Sequence, residues 1–333
     1  MTTRTTIRCR STTEAAELIR TGRLVAFPTE TVYGLGADAT NPDAVAGIFE
    51  SKGRPTFDPL IVHVADVLSA QELVTSFSET AVQLAAAFWP GPMTLVLPRR
   101  EIIPDLVTAG LPGVGIRIPD HPLALELLQL AECPIAAPSA NPFGGISPTT
   151  AQHVLDGLQN RIDGILDGGS CGVGIESTVV SLMTDHPTVL RLGGLPVEAI
   201  EDVIGPVEIA VGDPTKDDSA QPAPGMLSRH YAPGTPMQLL QPEQTAVAPQ
   251  GRRCGLLTYR RFAQDDPAFA PEVSGFEVVE VTGDDSNLRA CAANFFQSLR
   301  KLDAKQLDLI YAHLYPPHGL GRALNDRLRR AIG

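Results

Sequence analysis

The chain has 333 residues, of which 26 are Lys or Arg and 38 are Asp or Glu, so its formal net charge is −12. Hydrophobic residues make up 43% of it and charged residues 19%, a composition that excludes a disordered or fibrous protein. The acidic balance argues against a protein that coats nucleic acid or an anionic membrane, but it leaves room for a local basic pocket.

Strands and helices alternate irregularly along residues 12–203. Apolar periodicity and capping residues predict helices at 12–21, 42–50, 78–88, 121–132, 148–158 and 196–203. Short apolar runs predict strands at 24–27, 60–64, 94–97, 114–118, 134–137, 163–166, 177–182 and 188–192, with a loop at 29–36. Several of the later strands follow one another without a helix, which favours a mixed α/β sheet over a purely parallel one.

Residues 205–236 interrupt this pattern, because they are polar and rich in Pro and Gly and therefore predict a linker. The elements expected after the linker are strands at 252–259, 276–281 and 307–313 and helices at 286–302 and 320–331. The sequence thus predicts an α/β protein with a first domain at 1–204, a linker at 205–236 and a smaller α/β domain at 237–333.

The five cysteines are scattered and form no C-x-x-C pair, so neither a disulfide framework nor a zinc site is expected. The first ten residues lack the apolar segment of a signal peptide, and no apolar run is long enough to span a membrane. We therefore expect a cytoplasmic protein that has no membrane contact and no metal-ligand set of its own.

The densest basic motif is KGRP at 52–55, which follows a predicted helix and precedes a predicted strand. Lys52 supplies a point charge, and Arg54 supplies a planar fork that matches phosphate or carboxylate. Taken alone, the motif also fits an ordinary basic helix end that the helix dipole favours. Lys52 is nevertheless the only lysine in the first 215 residues.

Two further segments follow predicted strands. The segment PSAN at 138–141 offers short hydroxyl and amide groups at a strand end, where open α/β sheets place ligands, although a simple turn has the same composition. The segment PTETVYGLG at 28–36 combines hydroxyls, a carboxylate and a phenol in a loop, a mixture that favours function over pure structure.

Arg117 and Arg191 each lie inside a short apolar strand without an acidic strand neighbour. Two such arginines in one domain favour a shared anionic ligand over two side chains that merely reach solvent. His63, also in an apolar strand, fits an ordinary core histidine when it is considered alone. No Ser-His-Asp signature or nucleophile elbow is present, so a cationic pocket that positions a phosphate-bearing substrate is favoured over covalent catalysis.

Five motifs in this order resemble the YrdC-like family of L-threonylcarbamoyladenylate synthases. They are PTETVYGL at 28–35, KGRP at 52–55, PSAN at 138–141, SPT at 147–149 and ESTVV at 176–180. The segments PGM at 224–226 and RHYAP at 229–233, followed by a small α/β domain, resemble the long, two-domain form of the family.

The resemblance implies a twisted, mixed-sheet YrdC-like domain with a cationic cavity and a Rossmann-like second domain. It implies that L-threonine, bicarbonate or CO2, and ATP give threonylcarbamoyl-AMP and pyrophosphate, with Mg²⁺ accompanying ATP. A separate threonylcarbamoyl transferase complex would then modify adenosine next to the anticodon of tRNA, so tRNA would be involved only indirectly.

The resemblance also implies roles for single residues. Those that resemble threonine ligands are Thr31, His63, Arg117, Ala137 (through its backbone) and Ser177. Those that resemble ligands of ATP or its phosphates are Lys52, Arg54, Asp58, Ser139, Asn141, Ser147 and Arg191. His230 or Tyr231 would close the nucleotide site from the linker, and Gly113 stands where the family often has a hydroxyl residue, so a contact there would be made by backbone. Charge grows on phosphate oxygens during the transfer, so Lys52 and Arg54, together with Mg²⁺, are the expected catalytic stabilisers.

Two alternatives remain. One is a carbamoyltransferase relative that forms carbamoyl-adenylate, although such proteins usually carry acylphosphatase-like and zinc-finger modules that have no counterpart in this sequence. The other is an RNA-binding module, which the 23 acidic against 12 basic residues of 1–203 disfavour.

Overall fold

The protein is described here by a computed structural model that covers residues 4–210, 223–225, 230–242, 244–259, 273–284 and 286–332, with only the backbone described at 273–274. The chain divides into two units, Met1–Phe143 with Ser147–Ser228, and Gly144–Ile146 with Arg229–Gly333. Most of the predicted linker lies outside the described residues, and the boundaries at 204 and 236 stay predictions.

The helices of the first unit begin and end largely where the sequence predicts. They are Thr12–Arg20 (α1), Pro42–Lys52 (α2), Val67–Glu72 (α3), Glu79–Phe88 (α4), Asp105–Thr108 (α5), Pro122–Ala131 (α6), Ala151–Leu158 (α7) and Val197–Ile204 (α8). Side-chain caps fix several starts: Ser11 accepts from the N–H of Glu14, and Asn41 accepts from that of Ala44. The short helices α3 and α5 were not predicted, because six and four residues are too few to show a helical period.

The strands of the first unit form one mixed sheet. They are Ile7–Arg8 (β1), Val25–Phe27 (β2), Gly34–Asp38 (β3), Ile61–His63 (β4), Met93–Pro98 (β5), Gly113–Arg117 (β6), Ile135–Ala136 (β7), Gly164–Ile165 (β8), Thr178–Ser181 (β9), Thr188–Arg191 (β10) and Glu208–Ile209 (β11). Their order is β1-β8-β2-β3-β7-β4-β6-β5-β9-β10-β11, with parallel and antiparallel pairs interspersed. The predicted mixed α/β sheet is therefore confirmed.

The prediction of a loop at 29–36 is wrong at its end, because β3 begins at Gly34. The glycines of β3 allow close packing rather than a turn: a Cβ on Gly36 would lie 2.8 Å from both Ile135 Cγ2 and Phe27 Cε1. A run of glycines and hydroxyl residues has the composition of a turn, so its local pattern hides the strand. In the predicted linker, β11 likewise pairs with β10 and extends the sheet.

The two faces of this sheet are covered differently. One face packs against α2, α4, α7 and α8 in a large apolar core that includes Leu35, Val62, Leu95 and Ile116. On the other face, α1 and α6 cover Phe27 and its neighbours at one side. At the far side, Ala223 packs on Val96 and Val179 in a small cluster of its own.

The second unit contains a parallel sheet of four strands in the order β12-β17-β14-β16 and a separate pair, β13 with β15. The strands are Met237–Leu240 (β12), Ala246–Val247 (β13), Cys254–Thr258 (β14), Val273–Ser274 (β15), Val278–Val281 (β16) and Leu309–His313 (β17). The helices are Leu288–Asp303 (α9) and Leu320–Ile332 (α10). The predicted second α/β domain is thus confirmed as a fold, with β12, β13 and β15 missed because they are short and only partly apolar.

Among the described residues, no helix combines the length and the apolar character that crossing a membrane requires.

Candidate active site

Polar side chains replace the apolar cover in the middle of the second sheet face. His63 on β4 lies in register with Arg117 on β6, and Val179 on β9 lies in register with both Thr94 and Arg191. Paired residues on neighbouring strands project to the same face, so these side chains form one row across the sheet. All four polar members of the row are buried, with at most 6% of the residue exposed.

Arg117 is the centre of one group of contacts, which we call the Arg117 cluster (Glu30, Thr31, His63, Arg117, Ser177). Its Nη1 donates to Thr31 Oγ1 at 2.8 Å, its Nε donates to the carbonyl of Gly91 at 3.2 Å, and its Nη2 lies 2.6 Å from Glu30 Oε1. The guanidinium is thereby fixed in direction by groups from two separate segments, the loop of Glu30 and Thr31 and the backbone at Gly91. A planar fork held in this way suits a carboxylate ligand.

His63 lies beside Arg117, and its ring meets the ring of Phe27 edge to face at 6.0 Å. Burial, and after it the charge of Arg117, lowers the pKa of His63 to about 3. The imidazole is therefore neutral at physiological pH and acts as a hydrogen-bonding group rather than as a cation.

Ser177 and Arg191 connect this cluster with the next strands. Ser177 Oγ shares a hydrogen bond of 2.8 Å with Thr94 Oγ1, and Arg191 Nη2 donates to Ser177 Oγ at 3.1 Å and to its carbonyl at 2.8 Å. Arg191 Nη1 donates to the carbonyl of Pro224 at 2.9 Å. A short described piece of the predicted linker thus contacts this sheet face within the first unit.

A second group surrounds Lys52, which we call the Lys52 cluster (Lys52, Arg54, Asp58, Ser139, Asn141). Helix α2 ends at Lys52 because Gly53 adopts the left-handed conformation at φ 64°. Lys52 Nζ donates to the main-chain carbonyl of Ser139 at 2.6 Å and to that of Asn141. The motifs KGRP and PSAN, far apart in the chain, therefore meet through a single ammonium group.

Arg54 is fixed by its own loop. Its Nε and Nη2 donate to the carbonyls of Asp58 at 3.0 Å and Pro59 at 2.7 Å, and Nη2 lies 2.9 Å from Asp58 Oδ2. The guanidinium lies 6.0 Å from the ring centroid of Phe143. Arg54 and Asp58 are 7% and 0% exposed, so this is a buried ion pair.

Burial dominates the electrostatics of the Lys52 cluster. It lowers the pKa of Lys52 well below its usual value, and the neighbouring charge of Arg54 lowers it further. Burial also raises the pKa of Asp58, while Arg54, Lys52 and Arg191 act in the opposite direction. A bound polyanion would offset the desolvation cost of burying these cations, so the cluster is suited to binding phosphate.

The remaining predicted residues of this unit lie around the two clusters. Asn141 is 1% exposed, and Ser139 forms an isolated bridge with Gly34. Ala137 directs its N–H to the carbonyl of Ile61 at 2.9 Å. Ser147 Oγ donates to Glu176 Oε1 at 2.5 Å.

Gly113 is at the opposite end of β6 from Arg117, about 13 Å along the strand by its usual rise per residue. A Cβ there would lie 2.9 Å from Met183 Sδ, so the glycine allows Met183 to approach the strand. The structure gives Gly113 this packing role, and its predicted contact with the nucleotide stays a prediction.

His230 and Tyr231 belong to the second unit. Tyr231 is 1% exposed, with its ring 5.7 Å from that of Phe296 and the guanidinium of Arg327 5.3 Å from its centroid. His230 packs against Tyr231 at 4.1 Å between ring centroids. The role of either residue in closing the nucleotide site stays a prediction.

Sequence reasoning missed three residues that hold the clusters together: Glu30, Thr94 and Glu176. Glu30 and Glu176 lie inside motifs that drew attention for other members, and Thr94 lies in a strand with no unusual pattern. A buried arginine needs a counter-charge, so Arg117 itself was a signal that a carboxylate from another segment would pair with it.

The cysteines and the acidic residues give no sign of other chemistry in the described chain. Burial raises the pKa of Cys133 to about 12, so its thiol stays protonated at physiological pH. Among the described residues, no group of three or more His, Cys, Asp or Glu is arranged to hold a metal ion.

Comparison with known proteins gives matches along nearly the whole chain. A Sua5/YciO/YrdC family model described as telomere recombination matches residues 17–193, and one described as the C-terminal domain of threonylcarbamoyl-AMP synthase matches 195–333. The chain is 45% identical to a threonylcarbamoyl-AMP synthase of Bacillus subtilis, over 96% of this chain and 92% of that protein. It is 43% identical to one of Pyrococcus abyssi, over 96% of this chain and 93% of that protein.

Its structure resembles that of P. abyssi Sua5 complexed with L-threonine. The TM-score is 0.86 and the sequence identity 40%, and the match covers 100% of this chain and 98% of that one.

Proposed function

The chain belongs to the threonylcarbamoyl-AMP synthase family, and from this premise we propose that its first unit holds both substrates. The chain is an enzyme that forms threonylcarbamoyl-AMP, and L-threonine and ATP are its substrates. The observation that carries the site assignment is the presence of two groups of buried cations in the first unit, one around Arg117 on the sheet face between the apolar covers and one around Lys52 at the end of α2.

In this proposal the Arg117 cluster binds L-threonine. The guanidinium of Arg117 pairs with the substrate carboxylate, while Thr31, Ser177, the neutral His63 and the backbone of Ala137 give the remaining polar contacts. The contacts of Arg117 to Thr31 and Gly91 support this assignment, because they orient the fork before the substrate arrives.

The Lys52 cluster, which includes Asp58, Ser139 and Asn141, binds ATP together with Ser147 and Arg191. ATP enters as its Mg²⁺ complex. Lys52 and Arg54 neutralise the charge that grows on the phosphate oxygens as pyrophosphate leaves. Two carbonyl acceptors on Lys52 Nζ support this role, since an ammonium that is already fixed needs no reorganisation in the transition state.

The reaction we propose has two covalent steps. The neutral amine of threonine attacks bicarbonate, or CO2 derived from it, to give N-carboxythreonine, whose new carboxylate then attacks the α-phosphate of ATP with loss of pyrophosphate. This second step makes the enzyme a nucleotidyltransferase. No side chain needs to become covalently attached, in keeping with the raised pKa of the thiols of Cys133 and Cys171.

Threonylcarbamoyl-AMP is a reactive mixed anhydride, so a second enzyme must consume it. We propose that a threonylcarbamoyl transferase complex moves the group to tRNA next to the anticodon, and that both work in the cytoplasm. The acidic net charge of this chain fits an enzyme that acts on small molecules, while the transferase binds the RNA.

The test is an assay of the full chain with Mg²⁺-ATP, bicarbonate and L-threonine, in which pyrophosphate and threonylcarbamoyl-AMP are measured together. Both products are expected only when all three substrates are present, and the exposed, ion-paired Lys301 offers a control variant, Lys301→Ala, that should remain active. Pyrophosphate release without threonine would contradict the proposal. Carbamoyl-AMP formed from carbamoyl phosphate would support the carbamoyltransferase alternative, and salt-sensitive RNA binding without any release would support the RNA-binding module.

A further inference from the structure

Glu30 is a carboxylate of the Arg117 cluster whose chemistry the proposed substrate contacts do not use. It lies in the loop between β2 and β3, its side chain is 11% exposed, and its Oε1 is 2.6 Å from Arg117 Nη2. Its backbone carbonyl accepts a hydrogen bond of 2.7 Å from Val173, which fixes the loop at this residue. The carboxylate is therefore held in place next to the group proposed to bind the carboxylate of threonine.

The two oxygens of Glu30 keep their accepting capacity. Both are shielded from solvent, and neither receives a hydrogen bond of normal geometry from the residues that the structure describes. Asp163, an ion-paired carboxylate elsewhere in the same unit, is different, because its Oδ2 accepts from the N–H of Leu24 at 2.9 Å and pairs with Arg4. A carboxylate offers about four acceptor sites, so the sites of Glu30 that Arg117 does not occupy are matched to a donor that arrives with the substrate.

The proposed reaction needs an acceptor of this kind. An ammonium group has no lone pair, so threonine must lose one proton before its nitrogen can attack carbon. The buried cations Arg117, which pairs with Glu30, and Arg191, which donates to Ser177, disfavour the ammonium form and ease that loss.

We propose that Glu30 is the catalytic base that takes this proton from the ammonium group of L-threonine, an inference that rests on the proposed function. An N–H bond of the ammonium breaks, and the proton moves to an oxygen of Glu30 to give the neutral acid and the free amine. The amine lone pair then forms the C–N bond with bicarbonate, and the hydroxyl of bicarbonate leaves as water with a second amine proton. The product is N-carboxythreonine, and Glu30 later returns its proton to solvent.

The balance of charges favours the carboxylate of Glu30 over the other nearby base, the imidazole of His63. Transfer to Glu30 turns two confined charges of opposite sign into two neutral groups, and Arg117 remains paired with the carboxylate of threonine. Transfer to His63 would create a second cation beside Arg117, with which His63 is in strand register. The same burial and charge that keep His63 neutral make it the poorer acceptor.

The titratable groups around Glu30 leave a usable pH window. They are Arg117 on β6, His121 at the start of α6, and Cys171 in the loop before β9. Burial lowers the pKa of His121, and burial raises the pKa of Cys171 to about 12. Between about pH 7 and about pH 9 these neighbours therefore keep their protonation states, and a change in rate reports on the amine of the substrate.

The experiment is a pH profile of threonine-dependent product formation for the full chain and for Glu30→Gln. At about pH 7 the variant should lose about 10²–10⁴-fold in kcat/KM for threonine, the usual contribution of a positioned base. Its rate should then rise about tenfold per pH unit, because the fraction of free amine in solution rises by that factor, so the deficit shrinks about 100-fold by about pH 9. Asp163→Asn is the matched control, since it removes another ion-paired buried carboxylate and should keep the wild-type profile.

A deficit that stays constant with pH would show that Glu30 only positions Arg117, and full activity of Glu30→Gln would show that it has no role; either result overturns the proposal. Glu30→Asp keeps a carboxylate, so it should show a smaller deficit at about pH 7 than Glu30→Gln. It also provides a second test of the base role if Glu30→Gln folds poorly. If the wild-type chain releases no pyrophosphate in response to threonine, the proposed function itself has failed, which is a separate outcome.

Discussion

The Lys52 cluster and the Arg117 cluster both bury cations in the first unit, but they hold them in different ways. Lys52 is held by the main-chain carbonyls of Ser139 and Asn141, and Arg54 is held by those of Asp58 and Pro59 together with the carboxylate of Asp58. Arg117 is held by two side chains, Glu30 and Thr31, and one carbonyl.

This difference matters because a main-chain carbonyl is neutral and accepts a hydrogen bond at any pH. A carboxylate, in contrast, carries a charge and can be protonated. A cation fixed by carbonyls, as Lys52 is, keeps its net charge for the ligand, which suits the several negative charges of ATP. A cation fixed by a carboxylate is already partly neutralised, and that carboxylate is available to exchange protons. We infer that the first cluster binds and stabilises charge, whereas the second selects threonine and moves a proton.

The largest expected effect comes from Lys52→Ala. Product formation should fall by about 10³-fold, because the variant removes the fixed ammonium that we propose stabilises the transferred phosphate. The chain should remain folded, since the loss of a buried ammonium also removes its desolvation cost. Product assays and thermal unfolding check this, and near-normal turnover would remove Lys52 from the mechanism.

Arg117→Ala should have the next largest effect. We expect kcat/KM for threonine to fall about 10²-fold, because a buried partner of the substrate carboxylate is lost, while KM for ATP changes little. Steady-state kinetics with each substrate varied in turn gives the answer. An equal rise in both KM values would break the division between the clusters.

His63 gives an expected pH effect on stability. Its pKa falls to about 3 on folding from an unfolded value of 6.5, so the unfolded chain binds the proton more readily as the pH drops. Neutral His63 contributes its full stabilisation to the free energy of unfolding above pH 6.5, and this contribution is lost as the pH falls from 6.5 to 3. At about pH 5 the loss is ~2 kcal/mol. Urea unfolding at about pH 7.5 and about pH 5 should show this extra loss in wild type and not in His63→Gln.

The smallest effect is expected from Gly53→Ala. A Cβ there meets nothing within 4 Å, so the cost is the left-handed backbone alone, about 1 kcal/mol of stability. The helix end that carries Lys52 should shift slightly, which predicts a rise in KM for ATP of less than about tenfold and no change for threonine. A selective loss of threonine affinity would contradict the assignment of this cluster.

Local patterns in the sequence predicted the alternating elements of the first unit and its mixed sheet. They failed at Gly34–Asp38, where glycines serve a close approach of Phe27 and Ile135 instead of a turn. Pattern reasoning sees a residue's chain neighbours, and the contacts that decide this strand come from two other segments.

The candidate site shows the same limit. Motif reasoning named Lys52, Arg117 and Ser147, yet it gave no role to the partners Glu30 and Glu176. Each pairing joins distant segments, and a single sequence does not record which carboxylate reaches which cation or hydroxyl. The need for a counter-charge was predictable from burial, but its identity required the fold.

The most direct test of the two-cluster account is calorimetric titration of L-threonine into Lys52→Ala and into Arg117→Ala. The account predicts that Lys52→Ala binds threonine within about threefold of wild type, whereas Arg117→Ala loses about 10²-fold in affinity. Loss of threonine binding in Lys52→Ala, or its retention in Arg117→Ala, would contradict the division of the site.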